Sequence, residues 1–388
     1  MFSSYWYNII GAWVHFAGLI GSCPFGWDWE TRRVTLVKWK TWLSQFTFVM
    51  CYAPYILLQM TVKVIYYHMV SDYVSLAFLY GLWNWGAIIL VFGLVQVTCE
   101  EDNRRCINAF IQYIENFSEN YVGSFNKSVI KQKVRILDVI LTCVAVLVLL
   151  DIFVASTHHA LFPHDPAYPG SFIAEEDFTF PIYISFVVIY SGGHVIFCTL
   201  LGLYVAIWVT YLYIVTLIIL PEFRTGQKYY YNTVANLRTF HELPRSYRAL
   251  QLLHIAAMDV YAKVLIPCQT LCTNQILFCN LILLTRWEET AWLHRVIFLF
   301  WSGVTMLGWG AVLECSGKMY LVGERTLTSW KYWDWGTPRR NKYMSKFRKS
   351  SKPIRLHQGS CYTIRKLTVL KFMRSIVRGT FRMMLIKK

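Results

Sequence analysis

The chain has 388 residues, of which 56% are hydrophobic and only 15% charged, and its mean hydropathy is positive. A soluble chain carries roughly 25% charged residues to cover its surface, so a soluble globular reading is excluded. The net charge of +16 does not point to nucleic acid either, because no basic, soluble, motif-bearing domain carries it.

Apolar runs recur from end to end at the length that crosses a bilayer, roughly 20 residues in a helix. Lipid offers no partner to backbone polar groups, so such runs become helices. Residues 1–21 are apolar but lack a basic start and a small-residue cleavage site, and read as retained. Spans are expected near 41–65, 73–98, 136–157, 180–220, 263–285 and 292–313, with a weaker seventh near 362–386. The fourth run is about twice the length one crossing needs, and Ser191-Gly192-Gly193 could divide it.

The loops settle its number of crossings. Arg104, Arg105, Lys127, Lys131, Lys133 and Arg135 fall in 99–135, and Arg224, Lys228, Arg238, Arg245 and Arg248 in 221–262. The stretch 314–366 is denser still, whereas 66–72 and 158–179 contain no Lys or Arg. The positive-inside rule places the amino terminus and the three basic stretches in the cytoplasm, provided 180–220 crosses once. The carboxyl terminus is then extracellular, and the sequons at Asn116 and Asn126 stay unglycosylated. Ile107, Phe110, Ile111, Ile114 and Phe117 follow a helical period within 99–135, as do Leu250, Leu253, Met258 and Tyr261 within 233–262. The reading is an all-α, polytopic membrane protein with seven transmembrane helices that extend into a cytoplasmic anchor domain. Residues 1–313 form the transmembrane bundle with helical loops 99–135 and 221–262, 314–361 the anchor segment, and 362–388 the last helix.

Few residues suggest chemistry. The 11 cysteines form no CxxC pair, and no disulfide or zinc site is implied. His158, His159 and His164 are one histidine cluster, too few to fill a di-iron enzyme's ligand shells, and read as polar residues at a helix exit. No phosphate loop, nucleophile elbow or HExxH motif occurs, so neither catalytic residues nor a cofactor or metal is expected. Asp151 is a functional candidate because an intramembrane carboxylate is costly; otherwise it pairs with a basic residue on another helix or faces water at the mouth. Tyr80, Trp83, Tyr183, Phe186 and Tyr190 occupy the expected outer half, as interfacial anchors or as the lining of an apolar ligand pocket. Lys371, Arg374, Arg378 and Arg382 line one face of the last helix, opposite Leu370, Phe372, Val377 and Phe381. That helix either spans with its basic face toward water or lies on an anionic membrane surface.

Two stretches resemble the insect chemoreceptor superfamily, and its gustatory receptor family in particular. Gly18-Leu-Ile-Gly-Ser-Cys-Pro-Phe25, followed by Arg32, Arg33 and Trp42, resembles the family's GLFPF opening. Ser351-Lys-Pro-Ile-Arg-Leu-His-Gln-Gly359 and Tyr362-Thr-Ile resemble the approach to its last helix. The gustatory signature there is Thr-Tyr, five hydrophobic residues and Gln-Phe. Thr380 matches and Phe381 is a near match, while Arg382 breaks the hydrophobic run and Lys387 and Lys388 replace Gln and Phe. The resemblance implies a homo- or hetero-tetrameric, ligand-gated channel with other gustatory receptor subunits, in the plasma membrane of a sensory neuron dendrite. It implies a small-molecule, bitter tastant held in the outer half, membrane lipid around the bundle, no nucleic acid, and a pore lined by the last helix. Lys371, Arg374, Arg378, Thr380, Phe381 and Arg382 would then lie on the pore helix. Four copies of the basic stripe would repel cations, so it either faces a neighbouring helix, with Asp151 as partner, or alters selectivity. The alternatives are an odorant receptor of the same superfamily and, in another class, a multispan enzyme or transporter. Against the latter stand the missing catalytic clusters and missing inverted repeats.

Overall fold

The computed structural model describes residues 2–37, 47–69, 73–123, 127–165, 168–226, 231–358 and 362–386, which are helical apart from short ladders and loops. Helix α1 (Ser4–Leu19) begins where the Ser3 hydroxyl accepts from the Trp6 amide and donates to Asp138 Oδ1 at 2.7 Å, satisfying one of the amides a helix start leaves open. A hairpin of β1 (Phe25–Asp28) and β2 (Arg33–Leu36) follows. Its turn is tied by the Asp28 carboxylate, which accepts from the Glu30 and Thr31 amides. The helices α2 (Ala53–Met69), α3 (Tyr73–Thr98), α4 (Glu100–Tyr121) and α5 (Lys127–Leu161) come next. Helix α6 (Phe180–Ile214) opens on Pro181, whose missing amide suits a first turn. It runs on through a π-helical segment, Val215–Ile219, to Leu220–Glu222. Then come α7 (Glu242–Thr285), α8 (Trp292–Ser329), α9 (Pro338–Ser350) and α10 (Thr368–Ile386).

Among the described residues six helices are long and apolar enough to cross a membrane: Val49–Met69, Phe78–Thr98, Ser128–Leu161, Phe180–Glu222, Glu242–Thr285 and Trp292–Ser329. The fourth is one helix with no break at Gly192-Gly193. Residues 41–46 of the first expected span lie outside the described residues. The seventh expected span differs from the other six. Its helix starts at Thr368, because Tyr362 and Thr363 pair with His357 and Gln358 in a short ladder, and its basic stripe keeps it out of the apolar set.

Burial separates centre from periphery. In α6, 83% of the most apolar stretch is enclosed by the chain, against 11% in α5. Val139, Val146, Leu149 and Phe153 form an exposed outward stripe on α5, a face suited to lipid. The core is divided. The larger part joins α1, α4 and the far halves of α6, α7 and α8, and buries Ile107, Phe110, Ile111, Ile114 and Phe117 of α4. A smaller, separate part gathers Phe78, Leu79, Phe298 and Trp301 around Tyr168 of the α5–α6 loop.

The amino-terminal hairpin is fastened to α4 by polar contacts. The Val34 amide donates to Asn108 Oδ1, and Asn108 Nδ2 donates back to the Val34 carbonyl, both at 2.8 Å. Arg33 pairs with Glu115, which also accepts from the Tyr7 hydroxyl at 2.6 Å. Gly18 allows the chain to turn back here, since a Cβ on it would lie 2.3 Å from the Phe25 carbonyl oxygen. Glycines also smooth one face of α8. At Gly317 a Cβ would come within 2.9 Å of the Arg365 carbonyl, and at Gly323 within 3.1 Å of the Ile354 amide. The segment leading into α10 therefore lies directly on the α8 backbone.

Burial alone would raise the Glu115 carboxyl, but Arg33 and the Tyr7 hydroxyl hold it below the usual carboxylate range. A depressed carboxyl contributes stability that is present at neutral pH and lost as pH falls through its folded value. Acidification below the ordinary glutamate range is thus expected to release the hairpin. Glu115→Gln should cost about 1–3 kcal/mol at neutral pH and flatten that acid dependence. Hydrogen exchange at residues 25–36 reads both effects.

Candidate ligand site at the loop end of the bundle

The α5–α6 loop turns back into the bundle and places Tyr168 in its interior, 1% exposed. The Tyr168 ring packs edge-on to Tyr190 at 4.9 Å, His159 at 4.5 Å and Phe78 at 6.4 Å. Below it Phe78 stacks on Trp301 at 5.7 Å. Burial pushes the Tyr168 hydroxyl well above its ordinary range, so it remains a phenol, hydrogen-bonded to His158 Nδ1 at 2.6 Å. His158 Nε2 in turn lies 2.9 Å from His294 Nε2, so one of those two nitrogens carries the shared proton. Asp165 Oδ2 lies 3.6 Å from the same His294 nitrogen. From α2, buried Lys63 donates to the Tyr168 carbonyl at 2.9 Å and to Ser171 Oγ at 2.5 Å. Lysine at this depth is costly unless paired, so α2 and the loop are bound to each other.

Not all of the polar groups here are used. His159 is fully buried, and among the described residues neither ring nitrogen has a hydrogen-bond partner. Asn84 Oδ1, Gln275 Oε1 and Thr305 Oγ1 are likewise buried and unpartnered along α3, α7 and α8. Unsatisfied polar atoms in a packed interior each cost about 1–3 kcal/mol. Against the aromatic cluster, the unpartnered His159 ring suits a site whose ligand brings its own donors and acceptors. A cleft of about 350 Å³ lined by Trp330, Trp333, Asp334 and Arg348 lies at the other end of α8, far from this cluster.

Of the five aromatics expected to line a pocket, Tyr190 lies in this cluster, 4.4 Å from His159. Tyr80 stacks on Trp83 and meets Phe278 at 4.4 Å, and Trp83 Nε1 donates to Thr61; this pair lies between α3, α2 and α7. Tyr183 donates to the Ala160 carbonyl, and Phe186 stacks on Phe178 of the loop. The five therefore fall into three groups. His158 and His159, read from sequence as polar residues at a helix exit, lie in the last turn of α5 and are buried there, because the returning loop covers them. Lys63 was missed, and a single lysine within an apolar run was the available signal.

The basic stripe does not meet Asp151. Lys371, Arg374, Arg378 and Arg382 are exposed, while Phe372, Ile376 and Thr380 on the opposite side are buried; Phe381 is exposed. Asp151 is partnered by Trp301 Nε1 at 3.3 Å, Cys198 Sγ at 3.3 Å and His194 Nε2 at 3.5 Å. The expected basic partner from another helix is thus a histidine.

No protein-family profile and no curated protein matches the sequence. Solved structures do match it, and the class they define is an all-α, polytopic membrane fold. The insect olfactory receptor OR5 from Machilis hrabei, in complex with eugenol, superposes with a TM-score of 0.62 at 9% identity, covering 98% of this chain and 99% of that one. Another structure of the same receptor gives 0.64 at 10% identity over 98% of each chain. The chain therefore has the fold of an insect olfactory receptor along nearly its whole length.

Tyr168→Phe keeps the ring and removes the hydroxyl that His158 Nδ1 is bonded to. It should cost about 1–3 kcal/mol, measured as a lower thermal unfolding midpoint in detergent.

Proposed function

We propose that this chain is a subunit of a ligand-gated ion channel of the insect chemoreceptor superfamily, of the gustatory type, detecting small, bitter, largely apolar tastants. The observation that carries the reading is Tyr168, an aromatic side chain of the protein's own loop, buried in the bundle against His159, whose ring nitrogens have no partner among the described residues. A small aromatic compound with one hydroxyl could take the place of that side chain. It would hydrogen-bond His158 as the Tyr168 hydroxyl does, and engage His159, which nothing in the described residues satisfies. The Machilis hrabei receptor was solved with eugenol, a ligand of that size. Tyr190 would line the site directly, with Tyr80, Trp83, Tyr183 and Phe186 around it.

The orientation follows from charge. The 162–179 loop lacks Lys and Arg, so it and the site face outward, with the amino terminus and α9 inside. Helix α10 crosses as the seventh span and lines a central pore in a homo- or hetero-tetramer with other gustatory receptor subunits. Its 19 residues reach about 28 Å, close to the hydrocarbon thickness. The setting is the plasma membrane of a sensory neuron dendrite. An odorant receptor of the same superfamily is the second reading, and the olfactory receptor fold supports it equally.

The test is whole-cell recording from cells expressing the chain, alone and with co-receptors, against a panel of small aromatic tastants and odorants. A ligand-evoked current that Tyr168→Ala makes constitutive or ligand-insensitive is the expected result. Absence of current with every co-expressed subunit would refute the channel. The exposed stripe on α10 is expected to disfavour cations, so Arg378→Glu should shift the reversal potential toward cation selectivity; an unchanged value places α10 off the pore. Glycosylation mapping checks the crossing count. Acceptor sites engineered into 168–175 and appended after Lys388 should both be modified, and Asn116 should stay bare.

A further inference from the structure

We propose that Asp151, His194 and Cys198 form a zinc site that clips α5 to α6. His194 and Cys198 are four residues apart, hence one turn apart on one face of α6, the spacing that helix-borne chelating pairs use. Asp151 approaches them from α5. Cys198 Sγ lies 3.3 Å from Asp151 Oδ2 and 3.3 Å from His194 Nε2, and His194 Nε2 lies 3.5 Å from Asp151 Oδ2. Three ligand atoms around tetrahedral Zn²⁺, with bonds of about 2.0 to 2.3 Å, stand about 3.3 to 3.6 Å apart. The triangle fits that face.

Without a metal the Cys198 thiol donates to Asp151 Oδ2 and its sulfur can accept from His194 Nε2, so the same three atoms are gathered in the ion-free state. The other carboxylate oxygen, Asp151 Oδ1, accepts from Trp301 Nε1 at 3.3 Å. A neighbour that orients a ligating carboxylate through its free oxygen is what metal sites use. The donor set of thiolate, imidazole and carboxylate suits Zn²⁺, while Ca²⁺ and Mg²⁺ take all-oxygen shells. Charge also balances. On binding, the Cys198 thiol gives its proton to solvent as the Zn–S bond forms, and thiolate plus carboxylate cancel the ion's two charges. A neutral site is what a membrane-spanning helix pair can hold. The Asp151 and His194 side chains are 23% and 15% exposed, so water can occupy the fourth position.

The nearby group of His158, His294 and Asp165 differs. Its two Nε2 atoms are 2.9 Å apart, the length of a hydrogen bond and shorter than a ligand edge, and the Lys63 ammonium lies against the same loop.

The full chain, purified in lipid nanodiscs and stripped with chelator, would be reloaded with Zn²⁺ or Co²⁺. One Zn²⁺ per chain is expected. Co²⁺ should give tetrahedral visible bands with a thiolate-to-cobalt charge-transfer band in the near ultraviolet. Cys198→Ser should abolish that band, His194→Gln should weaken Zn²⁺ binding, and His294→Gln should leave the band unchanged. A band that survives Cys198→Ser, or Zn²⁺ uptake no greater than in that variant, overturns the proposal. If Cys198→Ser is not recovered folded, X-ray absorption of the wild-type zinc form decides. One sulfur among nitrogen and oxygen ligands is expected, and a shell without sulfur overturns it.

Discussion

A single helix from Phe180 to Glu222, about 65 Å long at 1.5 Å per residue, is the constraint that the rest of the molecule is arranged around. It is too long for the hydrocarbon layer and too apolar for water, so its far half has to be enclosed by protein. The chain meets that need with α1, α4 and the far halves of α7 and α8, which supply the larger core. At its near end the helix packs against α5 and the returning loop. There the interior is narrower, more aromatic and more polar, and the smaller core forms around Tyr168. Two cores on shared helices make the two ends different environments, joined by α6, α7 and α8 as rigid rods.

Much of this arrangement was readable because lipid imposes so few solutions. Apolar length marks a helix, and the charge of intervening loops suggests the number of crossings. The heptad-like spacing of Ile107 to Phe117 identified a helix that packs rather than one that spans, and all five side chains are buried. What the sequence withheld was contact between segments distant along the chain. Asp151 and His194 are 43 positions apart on different helices, so no motif announces their meeting. The burial of His158 and His159 depends on a loop that folds inward, and polar residues beside a loop ordinarily signal the reverse. The start of α10 was misjudged by six residues because Tyr362 and Thr363 find a strand partner in His357 and Gln358. Local pattern cannot register such a partner.

The distribution of charge has a similar logic. The net charge of +16 is concentrated on exposed surface, on α9 and on one face of α10, where side chains are hydrated. Inside the bundle, charges are few and matched: Lys63 lies against loop oxygens and Asp151 against a histidine, a thiol and an indole. In a medium of low dielectric an unmatched charge costs several kcal/mol, so each interior charge fixes the position of the segment that carries its partner. For Lys63 that segment is the loop bearing Tyr168.

The glycines along α8 carry a mechanical consequence. Side-chain ridges normally lock one helix against its neighbour, and a packed element moves past them only by jumping from groove to groove. Gly317 and Gly323 remove the ridges where Arg365 and Lys366, and Pro353 and Ile354, lie against α8. Backbone resting on backbone has a shallow corrugation, so α8 by itself offers the leader of α10 little grip. The grip comes from α7, where Tyr247 and Gln251 donate to the Lys352 carbonyl and His254 Nε2 lies 2.8 Å from the Arg355 carbonyl. The last helix is in this sense hung between two rods, its leader resting on one and tied to the other.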